Sequence, residues 1–320
     1  MREKRNLILK GIVFLLLIIF PFTIHSALFS SGSVLLDNNH GTPTEAMRSN
    51  SPSAIGSNQP ASSVSAHVRQ TEAYSKSNPA FSVAAKSTAK HPTHTLIPFL
   101  GFYPTKGIPV LMYHSINTLP GNTLGVPVKQ FAEEMEWLRS HRYHTLTMDE
   151  FCEAFLNGAP VPEKPIVITF DDGYIDNYTA ALPILQFYGH KATFFIITGM
   201  VGKNMMNWEQ INGLVRQGNS IGSHTVRHLD LRTLSAVQQE SELGNSKYDL
   251  ENHLGTTIKA FCFPSGRYNG NTLSILSKSG YKVAFTTQPG VVRLKDNPMT
   301  LKRVRIPGGI PIEQFQKMFP

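Results

Sequence analysis

The sequence predicts an α/β fold over residues 106–320, namely a distorted (β/α) barrel of seven strands. Short apolar runs alternate there with segments whose apolar residues recur at helical spacing. The runs are continuously apolar, which is typical of parallel strands covered on both faces. Glycines follow several of the helical segments, where a left-handed residue commonly ends a helix. A closed or partly open barrel suits this pattern best, and a doubly wound open sheet is the alternative.

Each predicted element follows from this alternation. The apolar runs that predict strands are residues 108–113, 165–170, 192–198, 220–223, 258–263, 283–286 and 304–306. The segments with helical spacing are residues 128–142, 148–156, 178–188, 208–217, 235–253, 272–278 and 312–318. The glycines that follow helices are Gly189, Gly218, Gly255 and Gly280. In such folds, functional side chains collect at the carboxyl ends of the strands, so polar residues that directly follow a strand define the candidate site.

The first 105 residues differ in composition from the rest. Arg2, Lys4 and Arg5 precede an apolar run over residues 11–24, so residues 1–27 are predicted to be a signal peptide or an uncleaved membrane anchor. Under either interpretation the rest of the chain is expected to be exported, and it is then extracellular, associated with the cell wall or anchored to the membrane. Residues 28–105 are rich in Ser, Thr, Asn and Pro and lack hydrophobic periodicity, which predicts a disordered linker.

The formal net charge of +8 is carried mostly outside the predicted domain, since residues 1–105 hold nine of the 30 basic side chains but only four of the 22 acidic ones. A nucleic-acid-binding domain carries its basic excess on the folded surface, so nucleic acid is not an expected partner. The two cysteines, Cys152 and Cys262, lack metal-type spacing. They are interpreted as buried free thiols, with a disulfide between them as the alternative in an exported protein.

Two adjacent carboxylates, Asp171 and Asp172, directly follow the predicted strand over residues 165–170. Like charges at one site raise a pKa or attract a cation, whereas an ordinary turn is the structural alternative. His224 and His228 follow another predicted strand at a spacing of four. That spacing places both imidazoles on one side of a helical turn, as in other zinc-binding histidine pairs. Two histidines and one aspartate leave positions open for water, which is typical of a catalytic zinc site.

A third strand end carries the turn Pro-Ser-Gly-Arg-Tyr-Asn at residues 264–269. A Pro-x-Gly turn at this position is able to direct a backbone N–H toward a developing oxyanion. An ordinary turn explains the same residues, so this motif alone does not identify a site.

Two of these strand ends resemble a known family. TFDDG at residues 169–173 and SHTVRH at 223–228 are similar to the first two motifs of the NodB-homology polysaccharide deacetylases, carbohydrate esterase family four. The turn at 263–266 resembles the third motif, with serine where the usual aromatic residue follows proline. VLMYHS at 110–115 resembles the permuted branch, which includes poly-N-acetylglucosamine deacetylases. The resemblance covers residues 106–320. It implies metal-dependent removal of N-acetyl groups from N-acetylglucosamine units of a cell-surface or cell-wall polysaccharide.

The family's site residues transfer to matching positions of this sequence. The resemblance implies that Asp172, His224 and His228 hold one divalent metal ion, with Zn²⁺ as the default and Co, Ni, Mn or Fe compatible with the same ligands. It implies that Asp171 is the general base that activates the attacking water. The backbone N–H of Ser265 is then expected to stabilise the tetrahedral oxyanion.

Three further residues follow from the resemblance or from chemistry at the strand ends. Arg303 is similar to an arginine near the family's C terminus that orients the base, and Arg305 fits the spacing equally well. Trp208 and Tyr268 are candidates to stack on sugar rings, with core packing as the alternative use of each.

His114 is the predicted general acid. The departing sugar amine must be protonated, and histidine suits a proton donor near neutral pH. The common form of the family takes this histidine from a C-terminal motif, but no histidine follows His253 in this sequence. Four other histidines are expected on the face of the barrel opposite the site, because none of them directly follows a strand: His141, His144, His190 and His253. Of these candidates for the general acid, only His114 directly follows a predicted strand, and a histidine that caps a turn is the alternative.

Two other functions are compatible with this set of residues. An O-acetyl esterase of the xylan type is one, because the same site is able to cleave the amide bond of an N-acetyl group or the ester bond of an O-acetyl group. A catalytically inactive sugar-binding homologue is the other, but such proteins typically lose the base or a ligand. Because the sequence keeps both, we expect an enzyme whose partner is an N-acetylated polysaccharide, with the membrane as a further partner if the N-terminal segment is uncleaved.

Overall fold

The computed structural model of the chain describes residues 99–100 and 102–319. The signal peptide or membrane anchor predicted over residues 1–27 lies outside the described residues, and so does the predicted linker as far as residue 98. Among the residues that are described, no helix is both long and apolar enough to cross a membrane.

Residues ahead of the predicted boundary at residue 106 also make contacts with the domain. Strand β1 (Phe99–Leu100) pairs antiparallel with β4 (Val161–Pro162). Tyr103 Oη also donates a hydrogen bond to the carbonyl oxygen of Val292 at 3.0 Å. The sequence did not indicate β1, because a two-residue strand is too short to produce a periodic pattern.

The remaining elements alternate between strands and helices as predicted. The other strands are β2 (Val110–Tyr113), β3 (His144–Thr145), β5 (Pro165–Phe170), β6 (Thr193–Ile196), β7 (Ser220–Ser223), β8 (Ala260–Cys262), β9 (Val283–Pro289) and β10 (Leu301–Arg305). The α-helices are α1 (Val128–Ser140), α2 (Met148–Asn157), α3 (Leu182–Tyr188), α4 (Trp208–Arg216), α5 (Ala236–Leu254), α6 (Gly270–Lys278) and α7 (Ile312–Gln316). A π-helical turn over Asn177–Ala181 leads into α3, so the helix predicted over residues 178–188 is only partly α-helical.

Seven parallel strands close into a barrel, which confirms the predicted fold and excludes the open sheet. Their order is β2-β10-β9-β8-β7-β6-β5, and β5 pairs with β2 to close the ring. The short strand β3 adds to β5 outside the ring. In the closing pair Tyr113 aligns with Phe170, so the residues that follow these two strands, His114 and Asp171, emerge side by side.

Hydrophobic side chains on the two faces of β5 enter separate clusters. Val167 on β5 packs in one cluster with Phe195 and Phe285, whereas its neighbours Ile166 and Ile168 join the larger cluster beneath the helices. Both faces of the strands are therefore buried, which explains their continuous apolar runs. The predicted glycine caps also occur: Gly189 and Gly255 end α3 and α5 in the left-handed conformation, where a side chain would be strained.

A buried carboxyl group joins helix α1 to strand β2. Glu134 is 1% exposed, and it accepts hydrogen bonds from Tyr113 Oη at 2.7 Å and from Gln130 Nε2 at 2.8 Å. Burial raises the pKa of Glu134 from 4.5 to about 7, because the two hydrogen bonds offset only part of the desolvation. The folded state therefore favours the protonated form of Glu134 more strongly than the unfolded chain does.

Stability of the folded protein is expected to fall between pH 4.5 and 7 through Glu134. In that range the folded state keeps the proton that the unfolded state has lost, so raising the pH favours unfolding. Urea unfolding across this range measures how the free energy of unfolding changes with pH, and Glu134→Gln should make that change smaller. Glu133→Gln is the matched control, since Glu133 is half exposed and pairs with Lys129. An unchanged slope in Glu134→Gln would contradict the assignment.

Candidate active site

The turn after β5 directs its two carboxylates in different directions. Asp171 N donates to the carbonyl oxygen of Tyr113 at 3.0 Å, which continues the pairing of β5 with β2. Asp172 has φ 74° and Gly173 has φ 84°, so the chain reverses in the left-handed region immediately afterwards. Asp171 consequently points toward the barrel interior, where Arg303 lies, while Asp172 faces the two histidines after β7. A left-handed aspartate is uncommon and is typical of functional sites.

Asp172, His224 and His228 bring three donor atoms together. Asp172 Oδ1 lies 3.4 Å from His224 Nε2 and 3.5 Å from His228 Nε2, and the three donors lie within 4.8 Å of one another. Although burial raises the pKa of Asp172, the hydrogen bond and charge of His224 outweigh it and hold the pKa below its usual value. This donor set fits a divalent metal with positions left for water.

His224 is oriented as metal-ligating histidines usually are. Its Nδ1 lies 2.7 Å from the carbonyl oxygen of Cys262, so a proton on Nδ1 leaves Nε2 free to face Asp172. His224 is almost completely buried, whereas the His228 side chain is 36% exposed. The site therefore has a closed side at His224 and an open side at His228.

The two histidines do not lie on a helical turn, so that part of the prediction is wrong. Residues 224–228 form a loop in which Thr225 has φ 68° and His228 has φ 58°. These two left-handed residues fold the loop so that the imidazole centroids are 4.8 Å apart. The spacing of four brings the rings together through loop geometry that the sequence pattern does not reveal.

A second group of potential ligands, Asp171, His224 and Cys262, is less suited to a cation. Arg303 Nη2 lies 2.7 Å from Asp171 Oδ2 and 3.0 Å from Cys262 Sγ, so a guanidinium already occupies this position. Burial also raises the pKa of the Cys262 thiol, which keeps it protonated. Both Cys262 and Cys152 are buried free thiols, as the sequence analysis favoured.

Arg303, rather than Arg305, contacts the predicted base. Its guanidinium donates to both oxygens of Asp171, at 2.8 and 2.7 Å, and it is completely buried. Burial would raise the pKa of Asp171, but Arg303 outweighs that effect and holds this pKa well below its usual range. Arg305 is exposed and donates to Thr123 instead. Asp171 is thus ionised and fixed in orientation.

His114 lies next to Asp171 as predicted from the strand ends. Its Nε2 is 3.8 Å from Asp171 Oδ2, and its side chain is 15% exposed. Asn177 Nδ2 donates to the carbonyl oxygen of His114 at 2.7 Å, and Asp176 accepts from Ser115 Oγ at 2.6 Å. These bonds connect the loop after β2 to the loop after β5. Sequence reasoning missed both Asp176 and Asn177, which follow the DDG motif without any pattern of their own.

The other histidines of the domain make contacts elsewhere. His190 Nε2 lies 3.0 Å from the carbonyl oxygen of Met135, and His144 Nδ1 lies 2.6 Å from that of Glu163. The remaining two stack on tryptophans: His141 on Trp137 and His253 on Trp208. None of these contacts involves the residues that surround Asp171 and Asp172.

The residues predicted to contact substrate occupy different surroundings. Ser265 is exposed in the turn after β8, has φ 52°, and follows by three residues the Cys262 carbonyl that orients His224. Tyr268 packs on Phe263 in the same loop, with ring centroids 4.7 Å apart. Trp208 is stacked on His253 at 3.8 Å, so one face of its ring is covered.

Comparisons with known proteins agree on one family. The family model described as polysaccharide deacetylase matches residues 158–284. YxkH of Bacillus subtilis, assigned as a polysaccharide deacetylase, is 43% identical over 206 residues, which span 63% of this chain and 72% of YxkH. A poly-β-1,6-N-acetyl-D-glucosamine N-deacetylase of Staphylococcus aureus is 28% identical over 196 residues, 57% of this chain and 67% of that protein.

A solved structure extends the similarity to three dimensions. The deacetylase PplD of Streptococcus pyogenes, determined in complex with acetate, is 31% identical and aligns with a TM-score of 0.64. The alignment covers 67% of this chain and 98% of PplD.

Proposed function

This chain belongs to the polysaccharide deacetylase family, and on that premise we propose that it removes N-acetyl groups from N-acetylglucosamine units of a cell-surface or cell-wall polysaccharide in a metal-dependent hydrolysis. The main support is the position of Asp172, His224 and His228 beside an Asp171 that Arg303 holds ionised. The similarity to a relative from Staphylococcus aureus that is named for poly-β-1,6-N-acetyl-D-glucosamine supports an N-acetylated polymer. Retention of both carboxylates and both histidines argues against an inactive sugar-binding homologue.

The reaction divides among the described residues as follows. Asp171 accepts a proton from the attacking water, whose oxygen forms the new bond to the acetyl carbon. His114 donates a proton to the sugar nitrogen as the C–N bond breaks, so the products are acetate and a free amine. Arg303 keeps Asp171 ionised and directed at the water. A divalent cation held by Asp172 and the two histidines would lower the pKa of water and polarise the acetyl carbonyl.

The cation is proposed to be Zn²⁺. Two imidazoles and one carboxylate are ligands that zinc accepts readily, and Co, Ni, Mn or Fe remain compatible with them. The backbone N–H of Ser265 is proposed to stabilise the oxyanion, because its turn adjoins the carbonyl that orients His224. Tyr268, in the same loop, is proposed to contact the sugar. Trp208 has less support for this role, since His253 covers one face of its ring.

The substrate is proposed to lie outside the cytoplasm. The basic residues and apolar run within residues 1–27 support this proposal, because they are typical of an export signal or membrane anchor. An exported deacetylase meets surface polymers directly, whereas nucleic acid is not a proposed partner. Fractionation of cells that express the full chain tests this proposal, and recovery of the protein in the cytoplasm would contradict it.

Acetate release from a panel of polymers tests the proposed function. The full chain, loaded with zinc, should release acetate from oligomers of poly-N-acetylglucosamine, peptidoglycan fragments or chitin-type oligomers. Acetyl-xylan is the matched O-acetyl substrate, because the same site is able to cleave either acyl bond. Release from acetyl-xylan alone would favour the esterase, and no release from any polymer would contradict a deacetylase.

Replacing His114 with glutamine should lower kcat/KM by about 10²–10⁴-fold while bound metal is retained. Burial lowers the pKa of His114 below 6.5, although the nearby Asp171 and Asp172 offset part of this effect. A general acid must be protonated, so the activity of the unaltered enzyme should decline as pH rises through this lowered pKa. His114→Gln should abolish that alkaline decline, and His141→Gln, which alters an exposed histidine, should not. Near-normal turnover with the decline intact would exclude His114.

A further inference from the structure

Glu242 on helix α5 contacts the loop that carries both histidines. Its Oε2 accepts hydrogen bonds from the backbone N–H of Val226 at 3.0 Å and of Arg227 at 2.8 Å. Its Oε1 accepts from Arg227 Nε at 2.6 Å. Glu242 is only 1% exposed, so its carboxylate is buried against the loop rather than solvated. A carboxylate in these surroundings is stabilised by its three N–H donors.

The loop needs external support because its backbone is unfavourable. Thr225 has φ 68° and His228 has φ 58°, and a left-handed conformation is especially unfavourable for a β-branched residue such as threonine. Such conformations persist only where the surrounding structure determines them. The strain lies on both sides of the two backbone N–H groups that Glu242 binds.

Other contacts support different parts of the same loop. The backbone N–H groups of Thr198 and Gly199 donate to the carbonyl oxygens of Thr225 and Val226, at 3.1 and 2.9 Å. A Cβ atom on Gly199 would approach the Val226 oxygen to 2.5 Å, so this contact requires glycine. These bonds satisfy carbonyl groups on one side of the loop, whereas Glu242 satisfies N–H groups in its centre.

We propose that Glu242 is a positioning residue that holds the His224–His228 loop in its metal-binding conformation before a metal ion binds. The inference rests on the proposed metal site, in which Glu242 is not a ligand. Arg227 neutralises the buried carboxylate, while its own side chain reaches the surface and is 59% exposed. Because Glu242 lies outside the ligand set, its contribution is to keep Nε2 of both histidines facing Asp172.

Zinc affinity of the metal-free full chain tests the proposal, measured by competition with a chromogenic chelator. Glu242→Gln should raise the Kd by about 10–100-fold, which is the usual effect of removing a partner that orients a metal ligand. Glu240→Gln is the matched control, since Glu240 lies on the same helix with an exposed side chain. The thermal midpoint of each metal-free protein is measured in parallel, because a merely structural role would lower the midpoint and leave the Kd unchanged.

Glu242→Asp is the second variant and keeps the charge while shortening the side chain. It should bind zinc with an affinity between those of the unaltered protein and Glu242→Gln, and it decides the question if Glu242→Gln does not fold. A Kd equal to that of Glu240→Gln in either folded variant would overturn the role of Glu242. Failure of the unaltered protein to bind zinc would instead contradict the proposed metal site, so the two failures are distinguishable.

Discussion

Replacing Asp171 with asparagine is expected to abolish measurable acetate release while bound metal stays close to its normal level. Asp171 faces Arg303 and His114, whereas the proposed metal ligands gather around Asp172. Asparagine cannot accept a proton from water, and loss of a general base typically lowers the rate by about 10²–10⁴-fold. Acetate assays and metal analysis on the same preparation measure the two effects separately.

The structure adds a second consequence to this substitution. Asparagine leaves the buried guanidinium of Arg303 without its counter-charge, and breaking such a pair destabilises a protein by about 3–5 kcal/mol. Assays must therefore be made below the lowered melting temperature of the variant. Asp172→Asn is the matched control, because it should release metal but keep the contact between Arg303 and Asp171. If Asp171→Asn lost metal and Asp172→Asn retained it, the roles of the two carboxylates would be reversed.

Most of what the sequence predicted about this site depends on one rule, namely that functional side chains directly follow the strands of a parallel sheet. Parallel strands in a barrel present their carboxyl ends on one face, so residues far apart in sequence meet there. His114 and Asp171 follow β2 and β5, which pair with Tyr113 opposite Phe170. Their side chains are therefore neighbours in the structure, with 3.8 Å between His114 Nε2 and Asp171 Oδ2. Continuous apolar runs were sufficient to locate these strands and their ends.

The position of a residue after a strand does not predict which side chains support the site through hydrogen bonds from neighbouring elements. Arg303 and Arg305 lie two residues apart on β10, but Arg303 is completely buried and contacts Asp171, whereas Arg305 is exposed and contacts Thr123. Depth within the barrel depends on strand register, and the register of β10 against β9 shifts between Leu301 and Arg303. The contacts of Cys262 and Glu242 with the site were not predicted, because neither residue belongs to one of the motifs. The left-handed backbone of the histidine loop likewise depends on tertiary contacts.

Removal of either histidine is expected to lower metal affinity by more than the roughly 10–100-fold that accompanies loss of an outer partner, and to lower activity in parallel. His224→Ala and His228→Ala each remove one of three protein ligands, so the effect acts directly on the proposed coordination. A chelator should likewise abolish the activity of the unaltered protein, and added divalent metal should restore it. His141→Ala is the matched control, since His141 is exposed and stacks on Trp137.

The two histidine variants should respond differently to added imidazole. The His228 side chain is 36% exposed, so its removal opens a space that imidazole can enter from solvent and from which it can bind the metal. The His224 side chain is 2% exposed and is held by the Cys262 carbonyl, so its removal leaves an enclosed cavity and a buried acceptor without its partner. Imidazole should therefore restore part of the activity of His228→Ala but little of that of His224→Ala. Full activity of either variant after exhaustive metal removal would show that the histidines do not hold a catalytic metal.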